Sequence, residues 1–435
     1  MQHRLLLLDA VLIILAAAFV TLGAEHVPFH GDESTIIWLS KDYAFFRDGE
    51  FEEMYYEPPP HRTTEQHLRI LNGTLTRLIY GAVWDGMGLE AEDVNEQWVW
   101  GQDYQSNLAE GHVPSERLLY AERLASASMT LLAGVFLMGA ARLVARHMWF
   151  SPWGVTLSGW VALAVYATHP AILLNGRRAM FEGAHLLGVA ALGWLVIWML
   201  ARNKRKWPHY ALLGILTGII LTIKFSVAFT VALLFGGLIL LIVLDRRFNE
   251  LLKIGLATLI ALLIFFGLSP LWWSAPLDMP SVVVDERRDL LELQASLYGQ
   301  FNGPGDRLST LFDEMVAPEP QYFEVPEWGI VYPSVYDEID RYDSWSGLDD
   351  NILMRIARYL LLGGGVALLI YTERWRMALL LGLWLVGILV ITLVTVPLGW
   401  QRYYLPVQVP LVILMGLGSS VIYELIAGRL LASRA

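Results

Sequence analysis

Residues 5–23 read LLLLDAVLIILAAAFVTLG, with a single charge at Asp9. An apolar stretch of about eighteen residues or more is long enough to cross a bilayer as a helix. A secretory leader would end at a small-residue cleavage site followed by a soluble chain. Here more apolar blocks follow instead, at 119–143, 153–168, 184–201, 210–223, 227–244 and 251–268. After a long gap come three more, at 352–371, 377–396 and 403–426. The pattern predicts ten spanning helices, the two that flank Lys224 being short. The fold class is an all-α polytopic membrane protein with two long outer loops.

Composition agrees. Of 435 residues 55% are hydrophobic and 17% charged, against roughly a quarter charged in soluble domains. A soluble enzyme, a disordered chain and a secreted disulfide scaffold are excluded. The chain has no cysteine, which removes disulfides, a thiolate nucleophile and cysteine metal sites. A net charge of -11 disfavours nucleic acid as a partner.

The charges also orient the chain. With the N-terminus inside, alternate short loops carry 14 of the 31 basic residues, faced only by Asp245, Glu250 and Glu373. Such a bias marks cytoplasmic loops. It predicts a multi-pass plasma (inner) membrane protein with both termini cytoplasmic. The two outer loops, 24–117 and 270–351, hold 35 of the 42 acidic residues. The expected organisation is a catalytic membrane module over 1–270 that includes the first loop, a cap over 271–351, and closing helices over 352–435. Prolines and aromatics cluster in the cap (Pro318, Pro320, Pro326, Pro333, Trp328, Tyr332), which predicts a small folded unit rather than a helix or a linker. In the first loop, Leu68, Leu71, Leu75, Leu78 and Ala82 form one helical stripe, and Ile36, Ile37, Leu39, Tyr43 and Phe46 a shorter one. Both predict helices lying in the outer interface, with packing on the protein's own bundle as the alternative.

Ionisable residues at span ends are costly there and are functional candidates. Asp32 and Glu33 follow the first span. Arg177, Arg178 and Glu182 lie between the third and fourth spans, Lys224 between the fifth and sixth, and Arg402 between the ninth and tenth. All fall at the outer level. Each has a plainer reading: arginines snorkelling to headgroups, Lys224 capping a helix dipole, Glu182 pairing with Arg178 four positions back. Together, cations suit a lipid-linked phosphate, and a carboxylate beside them suits general-base activation of an acceptor.

Five segments carry a resemblance. The run His30-Gly31-Asp32-Glu33 resembles the Asp-Glu motif of GT-C fold glycosyltransferases. Tyr55-Tyr56-Glu57-Pro58-Pro59-Pro60-His61 is similar to their His-Pro-Pro segment, with the order changed. Arg178-Ala179-Met180-Phe181-Glu182 is similar to their Arg-x-x-x-acid stretch. Thr222-Ile223-Lys224-Phe225-Ser226, closing a Gly-rich helix, is similar to their Thr-x-Lys, and Gln401-Arg402-Tyr403-Tyr404-Leu405-Pro406 to their late Arg-Tyr-x-x-Pro signature. Within that fold the motifs resemble those of protein O-mannosyltransferases and aminoarabinose transferases, which use polyprenyl-phosphate sugars.

The resemblance implies an inverting sugar transfer on the extracytoplasmic side. Asp32 would be the base, and Glu33 would bind the acceptor or orient the site. Arg178, Lys224 and Arg402 would hold the donor phosphate, with His61, Arg177 and Glu182 as further candidates. Membrane lipids and a polyprenyl-phosphate sugar are the expected partners, beside an acceptor of open class. No metal or cofactor is expected, except a divalent ion (Mg or Mn) should the donor be a pyrophosphate. The alternatives are a lipid-carrier flippase or transporter, and a pyrophosphate-donor oligosaccharide transferase or ligase.

Overall fold

The computed structural model describes residues 2–59, 63–202, 205–299, 301–316, 318–346 and 352–428. Helix α1 (Gln2–Leu22) is followed by five short helices of the first loop: α2 (Gly31–Leu39), α3 (Asp42–Asp48), α4 (Thr64–Leu71), α5 (Thr74–Gly86) and α6 (Tyr104–Ala109). The membrane bundle continues with α7 (Glu116–His147), α8 (Pro152–Ala167), α9 (Pro170–Arg177), α10 (Glu182–Leu200), α11 (Trp207–Leu221), α12 (Val227–Leu244) and α13 (Asn249–Gly267). The second loop folds into α14 (Met279–Tyr298), α15 (Pro304–Val316), α16 (Trp328–Val331) and α17 (Val335–Ser346), and α18 (Ile352–Tyr371), α19 (Trp375–Thr395) and α20 (Leu405–Ile426) close the chain.

All ten expected apolar blocks are helical. Among the described residues, eight helices are long and apolar enough to span. The third block is α8, and a short helix beyond it, α9, continues at a bend of 61°. Pro170 opens α9 there; it lacks an amide hydrogen and cannot continue the α8 ladder. His169 caps the new start by accepting from the Ile172 amide. Helix α11 has 15 residues, about 22 Å, short of a hydrocarbon core of about 30 Å. Helices α10 and α20 sit in the middle of the bundle, α1 and α18 at its edge.

Several ionisable residues of the bundle are paired, whereas both carboxylate oxygens of the buried Glu122 on α7 have no hydrogen-bond partner among the described residues. Asp9 accepts from both Arg142 terminal nitrogens at 2.8 and 2.6 Å and from the Trp160 indole at 2.6 Å. Near that end of the bundle Glu250 meets Tyr210, Arg205 and Arg247, and Arg376 meets Asp245. Small residues let α18 approach α20: a Cβ on Gly365 or Gly418 would strike the other helix's backbone.

Three expectations for the loops need correction. The 270–351 segment is a folded cap, but it is built of helices, one of 20 residues. The stripe from Leu68 to Ala82 is two helices, broken at Asn72-Gly73. Its neighbours Ile36, Ile37 and Leu39 are buried against Leu118, Ala179 and Phe181 of the bundle, so this stripe packs on the protein. The break has a physical cause. Gly73 lies so close to the Thr222 and Ile223 backbone that a Cβ would overlap it, and the Leu75 amide donates to the Thr222 carbonyl at 2.8 Å. The first loop is thereby docked on the α11–α12 junction, next to Lys224. The cap meets the first loop at more than one place: Ile70 packs on Leu271 and Met279, and in an aromatic cluster Tyr104 stacks on Tyr332 at 4.1 Å while Phe29 and Trp98 pack on Trp328.

Candidate functional site

Helix α2 begins at the candidate motif. His30 is its N-cap: its Nδ1 accepts from the Asp32 amide at 3.2 Å, and its own amide donates to Glu33 at 3.1 Å. Nδ1 is therefore the acceptor, and Nε2–H donates to Glu324 of the cap at 2.7 Å. This geometry sends the Asp32 and Glu33 carboxylates in different directions.

Glu33 points inward and is fully buried. Arg123 grips it with two bonds of 2.8 and 2.7 Å, and the Ala179 and His30 amides complete its four acceptor positions. Burial opposes its ionisation, but the Arg123 charge and hydrogen bonds, then Arg178 and the Ala179 amide, hold it below the usual carboxylate range. A saturated carboxylate is an anchor, and Glu33 has no acceptor position left free.

Asp32 points outward with a quarter of its side-chain surface exposed, and pairs with Arg402. Arg402 precedes α20 on a short turn and packs over the Trp400 and Tyr403 rings. Its Nε lies 3.3 Å from Glu324. Burial disfavours the charged form of Glu324, but Arg402, His30 and Arg178 hold it well below the ordinary carboxylate range. Glu324 is thus a buried anion from the cap, shared by His30 and Arg402. It sits in a segment with 17 acids, and nothing local in the sequence singled it out.

Lys224 lies at the α11–α12 junction and donates to Glu182 at 2.8 Å. Glu182 therefore pairs with Lys224 rather than with Arg178, and Lys224 binds a carboxylate rather than a helix end. Both guanidinium groups of the Arg177-Arg178 pair are buried. Arg177 donates to the Phe19 and Val20 carbonyls at the end of α1 and to the Tyr342 hydroxyl, so it caps a helix and pins the cap instead of snorkelling. Arg178 donates to the carbonyls of Pro28 and Tyr322. It ties the entry of α2 to the cap and faces Glu33 and Glu324 electrostatically. His61 lies outside the described residues.

A cavity of about 1270 Å³ opens between α11, α12, α19 and the cap helix α14. Phe225, Phe265, Trp272, Ile388 and Val396 make it apolar along most of its wall, while Lys224, Arg402, Arg287 and His185 supply polar groups. It is a greasy groove with cations on its wall, one of which also touches Asp32. Among the described residues, no three or more of His, Asp and Glu are grouped to hold a metal ion.

The helix order, the first-loop helices after α1 and the helical cap define the GT-C fold of polytopic membrane proteins. Its counterparts include ArnT from Cupriavidus metallidurans, solved bound to undecaprenyl phosphate, with a TM-score of 0.53 and 14% identity over 98% of this chain and 63% of that one. The apo form of ArnT gives a TM-score of 0.50 and 15% identity over 96% and 59%. This chain thus spans about three-fifths of the length of those chains. No protein-family model and no curated protein matches the sequence.

Proposed function

We propose that this protein is an integral-membrane glycosyltransferase that moves a sugar from a polyprenyl-phosphate donor to an acceptor on the extracytoplasmic side. The observation that carries the reading is the juxtaposition of Asp32, Arg402 and the cavity: a partly exposed carboxylate bound to a cation that also borders an apolar groove. The fold shared with a protein solved on undecaprenyl phosphate supports it.

In this reading the lipid lies along the apolar wall and the phosphate meets Lys224 and Arg402. Phosphate competes with Asp32 for Arg402, which frees the carboxylate to act as base. The acceptor loses its proton to Asp32 and attacks the anomeric carbon from the face opposite the phosphate. The carbon–oxygen bond to phosphate breaks with its electron pair on the lipid phosphate, and configuration inverts. Glu33, Arg178 and Glu324 act through their neighbours: they hold α2 and Arg402 in place.

The test uses the purified protein in nanodiscs with an undecaprenyl-phosphate sugar and a panel of hydroxyl and amine acceptors. Asp32→Asn is expected to lower transfer about a hundred- to ten-thousand-fold with donor affinity near wild type. Turnover close to wild type in that variant removes the assigned base. Lys224→Met is expected to weaken donor binding about tenfold, as loss of a charge-assisted contact does. Unchanged donor affinity there removes the phosphate seat.

A further inference from the structure

His185 lies on α10 one turn after Glu182, the partner of Lys224. It is 6% exposed and borders the cavity. Among the described residues no hydrogen-bond partner reaches its Nε2. Buried polar atoms are nearly always paired, because an unpaired one keeps its full desolvation cost. His185 borders a groove that also holds Lys224 and Arg402, and its unpaired nitrogen, shielded from solvent in the empty groove, gains a partner if the ring turns toward an oxygen bound there.

We propose that the His185 Nε2–H donates a hydrogen bond to the lipid-linked phosphate, before and after transfer, and so completes the seat formed by Lys224 and Arg402. This rests on the polyprenyl-phosphate reading above. Two cations already face the space, and a neutral donor adds direction without adding repulsion between like charges. The step balances without proton transfer through the imidazole. The acceptor's proton goes to Asp32, the new bond forms at the anomeric carbon, and the pair from the broken bond stays on the phosphate oxygen. The phosphate goes from one negative charge to two. The Nε2–H bond strengthens as that charge grows, so it stabilises the departing group more than the bound donor. His185 is in this sense a phosphate-binding residue whose effect is largest on the leaving group.

The experiment compares farnesyl phosphate, farnesol and inorganic phosphate as probes of the full-length protein in detergent, by intrinsic tryptophan fluorescence. Wild type is expected to bind farnesyl phosphate more tightly than farnesol, and inorganic phosphate at the same concentration is expected not to compete. His185→Leu is expected to lose about tenfold in farnesyl phosphate affinity with farnesol affinity unchanged. His185→Gln, which keeps an N–H donor, is expected to recover most of the loss. Equal phosphate affinity in wild type and His185→Leu overturns the proposal. So does displacement of farnesyl phosphate by inorganic phosphate alone, which would make the site one for free phosphate. If His185→Leu does not fold, nitrogen NMR of histidine-labelled wild type decides. The His185 Nε2 signal, assigned by its absence in His185→Gln, is expected to move with farnesyl phosphate and not with farnesol; a signal indifferent to the phosphate overturns the proposal. If wild type itself shows no preference for phosphate over alcohol, the polyprenyl-phosphate reading fails with it. A preference that survives in His185→Leu sinks only the role of His185.

Discussion

The carboxylate of Asp32 keeps a quarter of its surface open and has Arg402 as its close cationic partner, whereas the next carboxylate along the chain is enclosed by an arginine and two backbone amides. Adjacent positions at the start of a helix point about 100° apart, and that turn is enough to leave one carboxylate partly open beside Arg402 and to make the other an anchor. The two should respond differently to the same chemical change. Glu33→Gln leaves the buried Arg123 without its counter-charge and is expected to cost about 3–5 kcal/mol, read as a lower melting temperature of the detergent-solubilised protein. Asp32→Asn is expected to shift melting little, since its ion pair is partly solvated. Equal melting of both variants would contradict the division of roles. Of these residues the sequence showed the types and the membrane level, because the topology dictates which span ends lie together. It did not show which cation meets which anion. The sequence spacing offered Glu182 only Arg178, four positions back; its pairing with Lys224 depends on the docking of α10 against the α11–α12 junction, a contact between segments about forty residues apart.

At the scale of elements, apolar runs announced their helices because burying an unpaired backbone in lipid is prohibitive. The breaks within them were less legible. The bend between α8 and α9 follows from Pro170, a local signal. The interruption of the Leu68–Ala82 stripe does not, since Asn72 and Gly73 fit a helix pattern as well as a junction. What decides it is the approach of Gly73 to the Thr222 and Ile223 backbone, a tertiary fact. Gly73→Ala tests the docking directly. The added Cβ falls 2.3 Å from the Thr222 carbonyl oxygen, so the first loop must lift from the junction that carries Lys224. The expected result is a destabilisation of about 1–3 kcal/mol, the usual cost of overpacking, with faster proteolysis of the first loop and weaker donor binding. A variant with wild-type melting and wild-type donor affinity would mean that the junction adapts freely and does not position Lys224.

For the molecule as a whole, the cap is the part least readable in advance and the part that closes the site. It supplies Glu324 to His30 and Arg402, Tyr342 to Arg177 and a backbone oxygen to Arg178. It also supplies a pH dependence. Burial pushes the Glu314 carboxyl up to about 7; a hydrogen bond from Gln401 opposes this, and the nearby Asp313 charge adds to it. In the unfolded chain its value is the ordinary 4.5, so between about 4.5 and 7 the folded state holds a proton that the unfolded state has lost. Stability therefore falls as pH rises through that window, by at most about 3 kcal/mol. Glu33 and Glu324 work in the other direction. Their folded values lie below the unfolded ones, so their contribution is complete above the unfolded value and is lost as the solution is acidified below it. The two trends place the greatest stability well on the acid side of neutrality, at about pH 4.5–5, where the carboxylate pairs are nearly intact and the Glu314 loss is only beginning. Thermal melting from pH 4 to 8 is expected to show that maximum. Glu314→Gln is expected to raise melting at pH 8 and to leave pH 5 nearly unchanged, because at pH 5 the wild-type carboxyl is already protonated. An alkaline limb that persists in Glu314→Gln would assign the dependence to another group and detach the cap from it.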